Sequence, residues 1–186
     1  MEDCPPKSTS PSRLAWPSLV ANRLGVECVN RASPGASNLE ILYHILNFDF
    51  RDTDEVVILW SFFARGAVIN ADGIEKYGLW LPNFKKWLGV RSYDHLITKS
   101  WLHIHHAELY LNSIGVKNTS YIIEQGYMNS KKPAYINVKN TEQTQGVFKE
   151  MKDLGTDNAH PGPETHKAFA DVVYNNLTKE NDHGND

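Results

Sequence analysis

Cysteine is scarce in this chain of 186 residues, which carries only Cys4 and Cys28. Two cysteines build no disulfide framework and form no Cys-x-x-Cys pair, so a reducing, cytoplasmic setting is the simpler expectation. No charge of one sign dominates: the formal net charge is -3. Without a basic stripe, neither nucleic acid nor an anionic membrane surface is an expected partner. No apolar run reaches the ~20 residues of a membrane-spanning helix. The N-terminal Met-Glu-Asp-Cys-Pro-Pro lacks the basic-then-apolar order of a signal peptide. A Gly-rich phosphate loop is also missing, which leaves nucleotide or phosphate binding at the turn around Gly35 as a distant alternative. No metal and no cofactor are expected.

What is present reads as an ordinary folded chain. Hydrophobic residues make up 41% and charged residues 22%, globular proportions that argue against wholesale disorder. The length suits one domain with a real core. Residues 1–13, rich in Pro and Ser, read as loop or frayed terminus, residues 14–178 as an α/β domain, and 179–186 as a tail.

Along the domain, Trp16, Leu19, Val20 and Leu24 have helical spacing, with Gly25 as a stop. Val26–Asn30 is β-branched enough to predict a strand. From Leu39, the positions Ile41, Leu42, Ile45 and Leu46 predict a helix capped by Ser37 or Asn38. Glu55–Trp60 is the clearest strand, its unbroken apolar run implying burial in a parallel sheet. Residues 66–92 read as an irregular aromatic insertion. A long helix is expected over Tyr93–Ile114, ended by Gly115, then a strand over Ser120–Glu124. Residues 128–150 read as loop with a short strand at Ala134–Val138, and Glu164–Leu177 as the last helix. The alternation of strand and helix predicts a doubly wound α/β sheet.

In such a sheet, ligands bind beyond the C-terminal strand ends. The segment Asp157-Asn158-Ala159-His160-Pro161 is expected in a loop leading into a helix, where a carboxylate three residues before an imidazole can hold its tautomer and leave the other ring nitrogen to accept a proton. Taken alone, the same spacing also fits a helix start with a capping Asp and a surface His.

Val29-Asn30 followed by Ala32-Ser33-Pro34-Gly35-Ala36-Ser37-Asn38 resembles the second conserved block of the SGNH/GDSL hydrolases. Asp157-Asn158-Ala159-His160-Pro161-Gly162 resembles their last block. Ala15-Trp16-Pro17-Ser18-Leu19 and the helix after it are similar to short SGNH-like proteins of tailed phages. The resemblance covers roughly Leu14 to Leu177. It implies a three-layer, doubly wound, mostly parallel sheet (SGNH/flavodoxin-like), with Asp157 and His160 as acid and base of a triad and the Gly35 backbone N–H as an oxyanion donor. It further implies an esterase or deacetylase acting on a small ester or acetylated sugar, or a catalytically impaired descendant, with virion association allowed. A non-catalytic carbohydrate-binding or structural protein on the same fold is the alternative.

The chain departs from that pattern twice. It contains no Gly-Asp-Ser, the block that carries the nucleophile, and no apolar strand precedes residue 14. The expectation is that Met1 is an internal start, with the first central strand and its serine upstream. Ser8, Ser10, Ser12 and Ser18 offer hydroxyls, but none follows a strand. The unpaired edges of a sheet lacking its central strand would favour a homodimer. The chain alone is expected to turn over p-nitrophenyl esters little or not at all. The third block reads Leu59-Trp60-Ser61-Phe62-Phe63-Ala64-Arg65 in place of Gly-x-Asn-Asp. Ser61 can supply a hydrogen bond there, with Asn38, Trp60 and Arg65 lining a pocket; a strand end packed by aromatics is the equal alternative.

Other features carry less. His103, His105 and His106 read as a helix face rather than a metal site, because no third ligand is visible. His166 is expected at the surface. Asp153 with Asp157 could be a glycosidase pair, but the adjacent His160 favours the triad reading. Trp80, Phe84 and Trp87 suit packing better than a carbohydrate platform. The glycosylation sequons at Asn118 and Asn176 read as chance matches.

Overall fold

The structure is a computed structural model, and it describes residues 12–77, 93–123, 129, 131–144, 146–158 and 160–182. The chain divides into two compact units. One is drawn from both ends of the sequence, Met1–Arg31 with Thr144–Asp186, and the other is Ala32–Gln143.

The central unit contains α2 (Asn38–Leu46), β1 (Glu55–Trp60), β2 (Gly66–Asn70), β3 (Gly73–Tyr77), α3 (Tyr93–Ser113), β4 (Lys117–Ile122) and β5 (Thr141–Gln143). β1, β4 and β5 form a parallel sheet in the order β1-β4-β5. The unit is therefore α/β. In β1 the C-terminal half is the more buried, with Ile58 and Trp60 in the core. On α3, Ile97, Trp101, Ile104 and Leu111 recur at helical spacing and are all nearly inaccessible. They meet Leu42 and Ile45 of α2, Trp60 and Ile122 in one apolar cluster. Each such side chain contributes roughly 1.5–3 kcal/mol by leaving water. Gly115 ends α3 in the left-handed conformation at φ 74°, where glycine meets no Cβ penalty.

Three expectations about this unit need correction. Residues 66–77 are not irregular: β2 and β3 pair as an antiparallel hairpin with Asn70 opposite Gly73. The alternating Ala67, Ile69 and Ile74 supply its apolar positions. The aromatics Trp80, Phe84 and Trp87 lie outside the described residues. The strand expected at Ser120–Glu124 runs from Lys117 to Ile122 instead, so Asn118, Thr119 and Ser120 are buried polar residues of the sheet. Their polar side chains hid the strand. Asn118 Nδ2 bonds to Asn112 Oδ1 and Val116 O, and Ser120 pairs with Thr141, which also withdraws that sequon from any surface role. No strand forms at Ala134–Val138. The buried Glu108 of α3 accepts the backbone N–H of Lys139 at 2.8 Å, fixing the chain there, and pairing begins at Thr141.

The unit formed by the chain ends contains α1 (Trp16–Leu24) and α4 (Pro163–Asp182). Pro17 lies in the first turn of α1, and Gly25 closes it at φ 67°. Trp16 meets Phe169 edge-on at 5.1 Å between ring centres, and Phe148 meets the same ring at 4.9 Å. Arg23 pairs with Asp171 at 2.6 Å. The segment 26–30 is not a strand: it has no strand pairing, and Val26 and Val29 are exposed. β-branched side chains favour a pleated surface only where a neighbouring strand packs on them. No helix among the described residues is long and apolar enough to cross a membrane.

Candidate active site

Residues 153–162 form a closed loop ahead of α4. Gly162 N–H donates to Asp153 O at 3.1 Å, Gly155 N–H to His160 O at 2.8 Å, and Leu154 bridges Pro161. Asn158 sits at φ 54°, in the left-handed region that Asn tolerates. A Cβ on Gly162 would lie 2.4 Å from Asp153 Oδ2, so only glycine fits where the strands of the loop meet.

The Asp that caps the helix is Asp153. Its carboxylate accepts the N–H groups of Glu164 and Thr165 and the Thr165 hydroxyl. Burial pushes its carboxyl upward, but these bonds and the neighbouring His166 outweigh that and hold it below the usual range. Asp153 is thus committed to the helix start, which removes it as one half of a carboxylate pair. Asp157 serves a different group: Oδ1 accepts the His160 backbone N–H at 3.0 Å, and Oδ2 pairs with His160 Nδ1. Both carboxylate oxygens hold the same residue, one at its backbone N–H and the other at its ring. The pair is open to solvent, with side-chain exposures of 48% and 74%. A pair so exposed adds little to stability; its consequence is orientation. Nδ1 is occupied, so Nε2 is the ring nitrogen left for proton transfer.

His166 is not at the surface as expected. It is half-buried and its Nδ1 accepts the Trp16 N–H at 3.4 Å. Burial lowers its pKa, opposed by Asp153. Ser12 and Ser18 are engaged at the start of α1: Ser12 Oγ accepts from Leu14 N–H, and the Ser18 hydroxyl donates to Ser12 O. Among the described residues of this unit, no serine hydroxyl bonds to the His160 ring. Ser8 and Ser10 lie outside the described residues.

In the central unit, Ser33-Pro34-Gly35-Ala36 makes a turn closed by Ala36 N–H to Ser33 O at 3.1 Å. Pro is second and Gly, at φ 69°, is third, the pattern of a type II turn. Ser37, fully buried, then caps α2 by accepting from Glu40 N–H at 3.2 Å. The turn is pinned from β3. Lys76 Nζ donates to Ser33 Oγ at 2.8 Å and to Pro34 O at 2.9 Å, and pairs at 3.1 Å with Glu40, whose side chain is 3% exposed. Sequence reasoning missed Lys76 and Glu40. A lysine in a hairpin carries no local signal that its partner lies thirty-six residues earlier.

The structure brings Asn38, Ser61 and Arg65 together. Asn38 Oδ1 accepts the Ser61 backbone N–H at 2.8 Å, and Arg65 Nη1 donates to Ser61 Oγ at 3.1 Å. Asn38 thereby ties the α2 start to the residue that follows β1. Trp60 is 1% exposed within the apolar cluster and belongs to the core rather than to a pocket wall. A small cavity with room for about one water molecule opens beside this cluster, with Asn38, Arg65, Tyr77, Lys99, Ser100 and His103 in its lining. His103 is held down to about 4 by burial and by the positive charges of Lys99 and His106. Among the described residues, no three His, Cys, Asp or Glu side chains converge to hold a metal.

Gly35, Asn38, Ser61 and Arg65 thus lie in the central unit, and Asp157 and His160 in the unit of the chain ends. No family model matches the chain, and neither a curated protein nor a solved structure does.

Proposed function

We propose that the chain carries an SGNH-type ester-hydrolase site, in active or catalytically impaired form, with His160 as general base and Asp157 orienting it. The observation that carries this reading is the two-point grip of Asp157 on His160 in a loop whose helix is capped independently by Asp153. Asp157 is therefore not needed for the helix, and its geometry suits holding the neutral ring with its proton on Nδ1. Nε2 can then take a hydroxyl proton as the oxygen attacks an ester carbonyl, and return it to the leaving alkoxide. The oxyanion role of the Gly35 N–H, with the Ser61 hydroxyl as a second donor, is carried over from the family resemblance alone. A doubly wound three-layer sheet and a small ester or acetylated sugar as substrate belong to the same proposal. The nucleophilic hydroxyl is not assigned.

A second reading, a non-catalytic carbohydrate-binding or structural protein on this fold, draws on the commitment of the Ser12 and Ser18 hydroxyls to α1. Nitrogen-15 NMR of the His160 ring tests the assigned pair. The neutral ring is expected as the Nδ1–H tautomer, with that preference lost in Asp157→Ala; a ring indifferent to the substitution overturns the proposal. Acetate release from p-nitrophenyl acetate and acetylated sugars separates its forms. Turnover lost in His160→Ala marks the active form and sends the search for the hydroxyl to residues 8–18. Binding of an acetylated sugar without turnover marks the impaired one.

A further inference from the structure

The cavity beside Asn38 has a lining whose charge has one sign. Arg65 and Lys99 contribute to it, and among the described residues no Asp or Glu does. The one buried carboxylate near the start of α2, Glu40, pairs with Lys76 and His44 and is not part of the lining. Asn38 is 2% exposed; its Oδ1 is used by Ser61, while Nδ2 has no hydrogen-bond partner. A buried amide N–H without an acceptor is unfavourable, so the arrangement favours a guest that accepts. Asn38 is also the first residue of the nine-residue α2, where the backbone dipole adds partial positive charge. His103 also lines the cavity, its pKa lowered first by burial and then by Lys99 and His106.

We propose that this cavity binds the carboxylate or phosphate group of an acidic ligand, one oxygen entering toward Asn38 and the charge meeting Arg65 and Lys99. Room for about one water admits one such oxygen, with the rest of the group at the open side. The guanidinium of Arg65 suits the planar or tetrahedral arrangement of oxygens on either group. The inference uses no residue of the Asp157–His160 loop and is read by binding rather than turnover, so it stands or falls separately from the hydrolase reading.

The full chain is titrated with sodium acetate and with sodium phosphate at constant ionic strength, and the Asn38 side-chain amide is followed by proton–nitrogen NMR. A saturable shift is expected with one or both, and sodium chloride over the same range should not reproduce it. Loss of one charge-assisted contact predicts about ten-fold weaker binding in Arg65→Met and in Lys99→Met. Response to acetate alone assigns a carboxylate, and response to phosphate alone a phosphate group. No saturable shift with either, a shift that chloride matches, or affinity unchanged in the variants overturns the proposal. Arg65 also bonds to Ser61, so Lys99→Met carries the test if Arg65→Met does not fold.

Discussion

The Asp157–His160 loop and the Asn38–Ser61–Arg65 cluster solve the same problem, holding a polar group in one orientation, by opposite means. The loop closes within ten residues through its own backbone bonds and leaves its pair exposed. The cluster spans twenty-three residues between Asn38 and Ser61, both buried, and depends on Glu40 and Lys76 to fix the turn ahead of it. Exposed groups can be held cheaply because water shares their solvation, so a short loop suffices. Buried groups must be satisfied by the protein, which ties them to distant elements. Altering the loop is therefore expected to leave stability nearly unchanged, and altering the cluster to lower it.

The comparison is tested hardest at Lys76. Lys76→Met leaves the buried Glu40 carboxylate with only His44 beside it and releases the Ser33-Pro34-Gly35 turn. Breaking a buried pair from one side costs about 3–5 kcal/mol, less here because Lys76 is itself partly exposed. A loss of about 2–4 kcal/mol in urea unfolding is expected. A loss below about 0.5 kcal/mol would place the cluster in the same class as the loop.

His103 gives an intermediate effect. Its folded pKa, about 4, lies below the ~6.5 of an unfolded histidine. The unfolded chain then binds more protons between those values, so stability is full above pH 6.5 and falls as pH drops toward 4. Allowing for partial exposure, about 2 kcal/mol should be lost across that window. His103→Gln should flatten this part of the curve of melting temperature against pH. An unchanged slope would assign it to other groups, of which His166, also lowered by burial, is the first to examine.

The smallest effect is expected in the loop. Asp157→Asn should change stability by less than about 0.5 kcal/mol, since the pair is exposed and α4 is capped by Asp153. A larger loss would make Asp157 a structural residue and weaken its assignment as the group that orients a base.

Legibility followed the range of the interactions. Trp16–Leu24 with its Gly25 stop, the Ser37 cap, the strand Glu55–Trp60 and the Gly115 stop were all readable, because each rests on neighbours a few residues away. The spacing of Asp157 and His160 was readable for the same reason. Val26–Asn30 misled, since β-branched residues signal a strand only where a partner strand exists. Lys117–Ile122 was misplaced because its buried Asn118 and Ser120 side chains are satisfied by Asn112, Asn140 and Thr141.

By itself, then, the sequence determined that α1 stops at Gly25 and α3 at Gly115, which strand has the apolar run, and that a carboxylate and an imidazole share one short loop. Tertiary structure alone decided which Asp caps α4 and which one holds His160, since both precede the same helix and only the closed loop distinguishes them. It also decided that Asn38 would reach Ser61, that Lys76 would pin the Gly35 turn, and that Arg65 and Lys99 would line one cavity. Local patterns follow from backbone geometry and hold wherever the segment lies, whereas buried polar partnerships exist only after distant segments have been brought out of water together.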